Sequence, residues 1–244
     1  ANALTLEATT TLKENQTVPF IRGIIAAKHG RFREAIKLFS DTLSFDPKHA
    51  RARLNRSSAA LLCDDLAMAL DDATQLVEER PNHELGRLRK SEILMNQGDW
   101  ENAEFELREL LKLSHNHSMG LVHLGTCMIA MGRSEQAEKP LNKAIEENPK
   151  LSEAWYQRGL LYLDFGRSEK AISDFEAAVR TDPQHLDARL RIAAILHEGR
   201  DVEKAATAWR KVLDVDSQNR LARRRLEECR EQINTKREAL VPKD

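Results

Sequence analysis

The chain has 244 residues, 41% hydrophobic and 32% charged, enough apolar side chain to bury a sizeable core and too much for disorder. Thirty-eight basic against 39 acidic residues leave a net charge of −1, which speaks against duplex DNA or an anionic membrane as partner, because both need a basic excess, and 5% aromatic residues leave few rings to stack on RNA bases. Only 10 glycines and 7 prolines, three scattered cysteines and no apolar run of 18 residues exclude a collagen, a β-sandwich, a disulfide scaffold and a membrane-inserted chain. Cys63, Cys127 and Cys229 form no CxxC pair and fit a reducing compartment, so a cytoplasmic location is expected. The opening Ala1-Asn2-Ala3 is the small-residue pattern that precedes signal cleavage, which keeps a periplasmic or other exported location as the alternative.

Residues 1–15 carry Leu4, Leu6 and Leu12 among threonines and read as a leader segment, a helix stacked on its neighbour in the chain, or a piece that docks elsewhere. From Gln16 the chain divides without insertion into six blocks of 34: 16–49, 50–83, 84–117, 118–151, 152–185 and 186–219. Position 20 of every block is alanine (Ala35, Ala69, Ala103, Ala137, Ala171, Ala205), and position 8 is always small (Gly23, Ser57, Ser91, Gly125, Gly159, Ala193). Position 15 is glycine in four blocks and position 32 proline in four. Each block holds two stretches with apolar residues at helical spacing, so the glycine ends a first helix and the proline stops a second. The small residues mark where the two helices cross. Pro140 falls inside the second helix of block four, where a kink or an early-ended turn is expected, and with it a division of the molecule. Residues 220–244 continue as a polar helix and tail that caps the last block; a basic tail recruiting an acidic partner is the other reading.

The spacing and these residues resemble the tetratricopeptide repeat family. Block five matches best, through Trp155, Gly159, Tyr162, Gly166, Ala171, Phe175, Ala178 and Pro183. Other blocks depart from the pattern: Pro19 stands at the tryptophan position, and His115 and Ser217 replace terminal prolines. The resemblance implies an all-α, right-handed α-solenoid of six helical hairpins with a C-terminal capping helix.

No phosphate-binding loop or nucleophile elbow is present, and no cofactor is expected. His115, His117 and His123 have a spacing that could reach a metal, but His49, His83, His117 and His185 all fall at position 34, which makes histidine a habit of the inter-block loop. The cysteines sit in helical segments without a local base, so no enzyme and no metal site is expected.

The family resemblance implies binding along a concave face of first helices, at positions 2, 5, 6, 9, 12 and 13. Position 5 reads Phe20, Leu54, Leu88, Val122, Tyr156 and Leu190, and position 6 reads Ile21, Asn55, Arg89, His123, Gln157 and Arg191. With Ile24 at position 9, these make apolar stripes around a hydrogen-bonding row, suited to a peptide or amphipathic helix of a partner protein, acidic in character. Of the five residues with which family members clamp a chaperone's C-terminal carboxylate, only Asn55 and Arg89 match; Phe20, Ile24 and Leu85 hold the other places, so that ligand is not expected. Arginines at the start of first helices (Arg51, Arg53 and Arg56; Arg87, Arg89 and Lys90; Arg189 and Arg191) form either a basic stripe or a face paired with nearby carboxylates. The alternative to an adaptor is a self-assembling scaffold, as proposed for the magnetosome-associated members, whose leader or end block fills a neighbour's groove to give a homo-oligomer.

Overall fold

The computed structural model describes residues 17–199 and 201–239, so the leader and Leu240-Val241-Pro242 lie outside the described residues. Among those described, thirteen helices and no strand are found. They divide into two compact units, with the boundary between His115 and Asn116. The first unit holds α1 (17–28), α2 (Phe32–Phe45), α3 (Ala50–Leu62), α4 (Leu66–Glu79), α5 (Glu84–Gln97) and α6 (Trp100–Leu113). The second holds α7 (Ser118–Ala130), α8 (Ser134–Glu147), α9 (Ser152–Asp164), α10 (Ser168–Thr181), α11 (Leu186–Glu198), α12 (Val202–Leu213) and α13 (Arg220–Ala239). Within each unit every helix packs on the next, and first helices also touch one another, α3 on α5 and α7 on α9. Each unit is thus an all-α stack of helix hairpins.

Packing explains the small residues. All six alanines at position 20 are fully buried. A Cβ added at Gly23 or Gly159 would come within 2.6 Å of the Phe39 or Phe175 ring, and one at Gly125 within 2.7 Å of Leu141 Cγ. In these three hairpins position 8 is glycine because position 24 fills the space a Cβ would need. Ser57 stands with the small Ala73 and donates its hydroxyl to the Ala69 carbonyl at 2.7 Å, while Ser91 stands with Leu107 and Ala193 with Trp209. The turn glycines Gly30, Gly98, Gly132 and Gly166 adopt φ between 67° and 76°; Asp64 holds the same left-handed place at φ 62°.

Three polar devices recur with the 34-residue period. The histidines of the loops are N-caps: Nδ1 of His49, His83, His117 and His185 accepts from the backbone N–H three residues on, at 3.0, 2.9, 3.0 and 3.3 Å. Asn219 caps α13 in the same way. Next, position 4 of a first helix reaches back six residues to a loop carbonyl: Arg53 to Pro47, Arg87 to Pro81, Trp155 to Pro149, Arg189 to Pro183 and Arg223 to Ser217. Finally, a cation from the first helix meets a buried carboxylate at position 23 of the second. Arg56 grips Asp72 with two bonds of 2.7 and 2.8 Å, Arg158 grips Asp174 likewise, and Arg87 and Lys90 share Glu106. Hydrogen bonds donated to Asp72 and Asp174 raise the pKa of Arg56 and Arg158 above the ordinary arginine value, against the opposing effect of burial.

Pro140 occupies position 23 of its hairpin, the place of those carboxylates, opposite Leu124 at position 7. Proline and leucine there form an apolar substitute for the ion pair, and Pro140 is buried. Contrary to the expected early end, α8 runs unbroken from Ser134 to Glu147, with the same 14 residues as α4, α6 and α10. The division between units lies at His115/Asn116, and Pro140 sits inside the second unit.

The last helix, α13, buries Ala222, Leu226 and Cys229 against α12 and leaves its other faces polar, as a cap over an end hairpin requires.

Candidate interaction surface on the first helices

Positions 2, 6, 9 and 13 of a first helix fall within about 60° of one another at 100° per residue, so they form one stripe. Position 5 lies beside that stripe and braces the hairpin. The Phe20 ring lies 6.0 Å from Phe39 and 4.8 Å from His49; Tyr156 repeats the arrangement, 5.6 Å from Phe175 and 4.8 Å from His185. Leu54 and Leu88 are half-buried, Leu190 packs into the cluster around Trp209, and Val122 is fully buried. Val122, counted among the groove residues on sequence, therefore supports this surface from beneath and presents nothing to a partner. Ile24 is half-buried against the Phe39 cluster.

Asn55, Gln157 and Arg89 have partners within their own helices. Asn55 donates to the Arg51 carbonyl at 2.7 Å, and Gln157 to Glu153 at 2.7 Å. Arg89 pairs with Glu92 at 2.5 Å, and burial pushes the Glu92 carboxyl above its ordinary pKa despite that arginine. His123 is half-buried, and Arg191 is exposed with no ion pair among the described residues.

The two units differ along this stripe. In the first, Ile21, Leu62 and Leu85 stand at positions 6, 13 and 2 of three successive first helices, exposed by 50, 63 and 55%. Lys28, Arg51 and Arg89 lie on the same stripe against Glu92 alone, so it is apolar and basic. In the second unit the stripe carries Glu153, Asp164, Asp187 and Glu198 against Arg191. The basic row expected across all first helices is not one row. Arg53 is buried, and Arg56, Arg87 and Lys90 are committed to the carboxylates of second helices. Leu62 is the stripe residue that sequence reasoning missed; its signal was an apolar residue at a position facing the groove.

Chemistry has little foothold. Among the described residues no group of three metal-ligating side chains comes together. Cys229, expected to lack a base, has His197 Nδ1 3.6 Å from its sulfur, with Glu228 3.9 Å from the other ring nitrogen. Burial pushes that thiol up, away from the thiolate a nucleophile needs. No described helix is long and apolar enough to cross a membrane.

A profile described as tetratricopeptide repeat matches residues 22–84, 129–184 and 156–220, more than half of the chain. The chain belongs to the tetratricopeptide repeat family. No curated protein matches the sequence. Among solved structures, the fold is similar to a chain of the APC/C hetero-tetramer Cut9–Hcn1, at a TM-score of 0.77 and 17% identity over 93% of this chain and 46% of that one. It is also similar to the tetratricopeptide repeat protein YrrB, which has an unusual peptide-binding site (TM-score 0.53, 21% identity, 75% of this chain and 95% of that one). MamA from Desulfovibrio magneticus is a third, at 0.58 and 24% over 70% of this chain and 97% of that one. At such identities the likeness concerns the fold. Tetratricopeptide repeats are protein-interaction scaffolds and adaptors, generally non-catalytic, and the helix pairs of this chain pack as in that fold.

Proposed function

We propose that the chain is a non-catalytic adaptor that captures an amphipathic helix of a partner protein on the first-helix stripe of its first unit. The exposure of Ile21, Leu62 and Leu85 carries this reading. Three large apolar side chains on consecutive first helices are costly in water and are relieved by a ligand with matching apolar anchors. Lys28 and Arg51, with Arg89 already paired to Glu92, set the sign of that ligand as acidic. Phe20, Leu54 and Leu88 hold the surface rigid from below. In the second unit His123, Tyr156, Gln157, Leu190 and Arg191 belong to a stripe that is acidic overall and suits a different segment of the partner.

The test is selection of displayed random 16-residue peptides on the intact chain. Enriched peptides should carry apolar residues at i and i+3 or i+4 with an excess of Asp and Glu. A Leu62→Asp variant, exposed and so neutral for folding, should bind them about tenfold more weakly. Basic peptides, or peptides indifferent to Leu62→Asp, would refute the reading.

A second reading, self-assembly, is favoured by Val18 and Ile25, which are 50% and 46% exposed on α1 and lie seven residues apart on one side of that end helix. Light scattering behind a sizing column separates the two: an adaptor remains at the 27.8 kDa of one chain at all loadings, and a scaffold grows with concentration.

A further inference from the structure

The buried carboxylate at position 23 is absent from the first, fourth and sixth hairpins, where Leu38, Pro140 and Ala208 stand; Ala208 is the smallest of the three and lines a cleft. Repeats two, three and five place Asp72, Glu106 and Asp174 at that position; the sixth has Ala208, and the cation at position 7 is replaced by Ile192. The cleft is open, about 390 Å³ in volume, and lined by residues of α10, α11 and α12. Val179, Ile192, Leu196 and Ala208 make its walls apolar, and Arg189 and Lys211 stand at its edge.

Arg189 shows what is lacking. It occupies position 4, as Arg53 and Arg87 do. Arg87 reaches its position-23 carboxylate, Glu106, at 2.6 Å, and Arg53 approaches Asp72 to 3.9 Å. Arg189 keeps the shared bond to a loop carbonyl, Pro183, at 2.8 Å, but faces alanine where the carboxylate would be. Its Nε is buried without a hydrogen-bond partner, as is that of Arg53, but unlike Arg53 and Arg87 it has no ion pair among the described residues, and neither has Lys211. Lys204 is held by Asp201 at 2.8 Å, and Glu203 is the one acid among the lining residues.

We propose that this cleft is a second docking site, which takes an acidic peptide segment by burying one apolar side chain on Val179, Ile192 and Leu196 and placing a carboxylate on Arg189. The ligand supplies in trans what Asp72 and Glu106 supply in their own hairpins. The cleft lies among second helices of the second unit, so it is distinct from the first-helix stripe and does not depend on it.

The probe is a fluorescein-labelled peptide, Glu-Asp-Leu-Phe-Asp-Glu, titrated with the intact chain and followed by anisotropy, beside a control with Gly-Gly at its centre. The wild type should bind the probe and not the control. Ala208→Glu restores the in-chain carboxylate, fills the cleft and should weaken binding at least about tenfold. Lys211→Glu, an exposed change that leaves the core alone, should weaken it as well and decides the matter if Ala208→Glu misfolds. Leu62→Asp should leave it unchanged. Absence of binding to the wild type, equal binding by the cleft variants, or loss only in Leu62→Asp would each overturn the site; the last would place the peptide on the first-helix stripe instead.

Discussion

Asp174 is 4% exposed, and the two-pronged grip of Arg158 is what keeps a charge tolerable there. Arg158 is itself fixed by the Trp155 and Tyr162 rings, 5.0 and 5.6 Å from its guanidinium carbon, and by a bond to Asn142. Asp174→Ala strands that guanidinium and should cost about 3–5 kcal/mol in chemical denaturation, whereas an exposed carboxylate such as Asp187 should cost little when removed. Glu92 behaves in the opposite sense. Its pKa is raised in the folded state, chiefly by burial, so the folded chain holds its proton to higher pH than the unfolded chain does. Stability contributed by Glu92 is therefore greatest below the ordinary glutamate range and falls as pH rises through the window just above it. Relative to Glu92→Gln, the wild type should lose stability as pH rises through and just above the ordinary glutamate range in urea titrations, and a parallel pH dependence of the two would contradict this.

At the scale of the helix, much was legible and the reasons are physical. Six alanines in register at position 20 could only mean a repeated close crossing, and position 8 had to be small. The loop histidines were read as a habit of the inter-block loop, and their work as N-caps was not visible, because it depends on Nδ1 accepting from the backbone N–H three residues on. Nor was the coupling of positions 7 and 23: it joins residues 16 apart on different helices, a spacing no single-helix period reveals. That coupling gives Pro140 its meaning. A proline at the seventh residue of α8 forgoes a backbone bond to Gln136, yet its ring fills the space where Asp72 and Asp174 sit elsewhere. Pro140→Ala should regain helix propensity worth up to about 3 kcal/mol and lose part of that to the emptied space, for a net rise in melting temperature. A fall would mean that the ring's packing outweighs the missing hydrogen bond.

For the whole molecule, the fold was written in the 34-residue spacing, while the difference between the stripes of the two units was not. A residue-by-residue reading along position 6 merges Ile21, Asn55, Arg89, His123, Gln157 and Arg191 into one row. The break at His115/Asn116 separates an apolar, basic stripe from an acidic one, and only the exposures of Ile21, Leu62 and Leu85 show where apolar surface is left open. The first-helix stripe of the first unit is where we place the partner. Site-specific photo-cross-linking reads that placement out, with a photoreactive phenylalanine analogue put in turn at Leu62, Leu85 and Phe105, a second-helix residue that is 58% exposed and serves as the control. Docking on the stripe gives one common partner adduct from positions 62 and 85 and none from 105. An adduct from 105 alone, or the same adduct from all three positions, would contradict it.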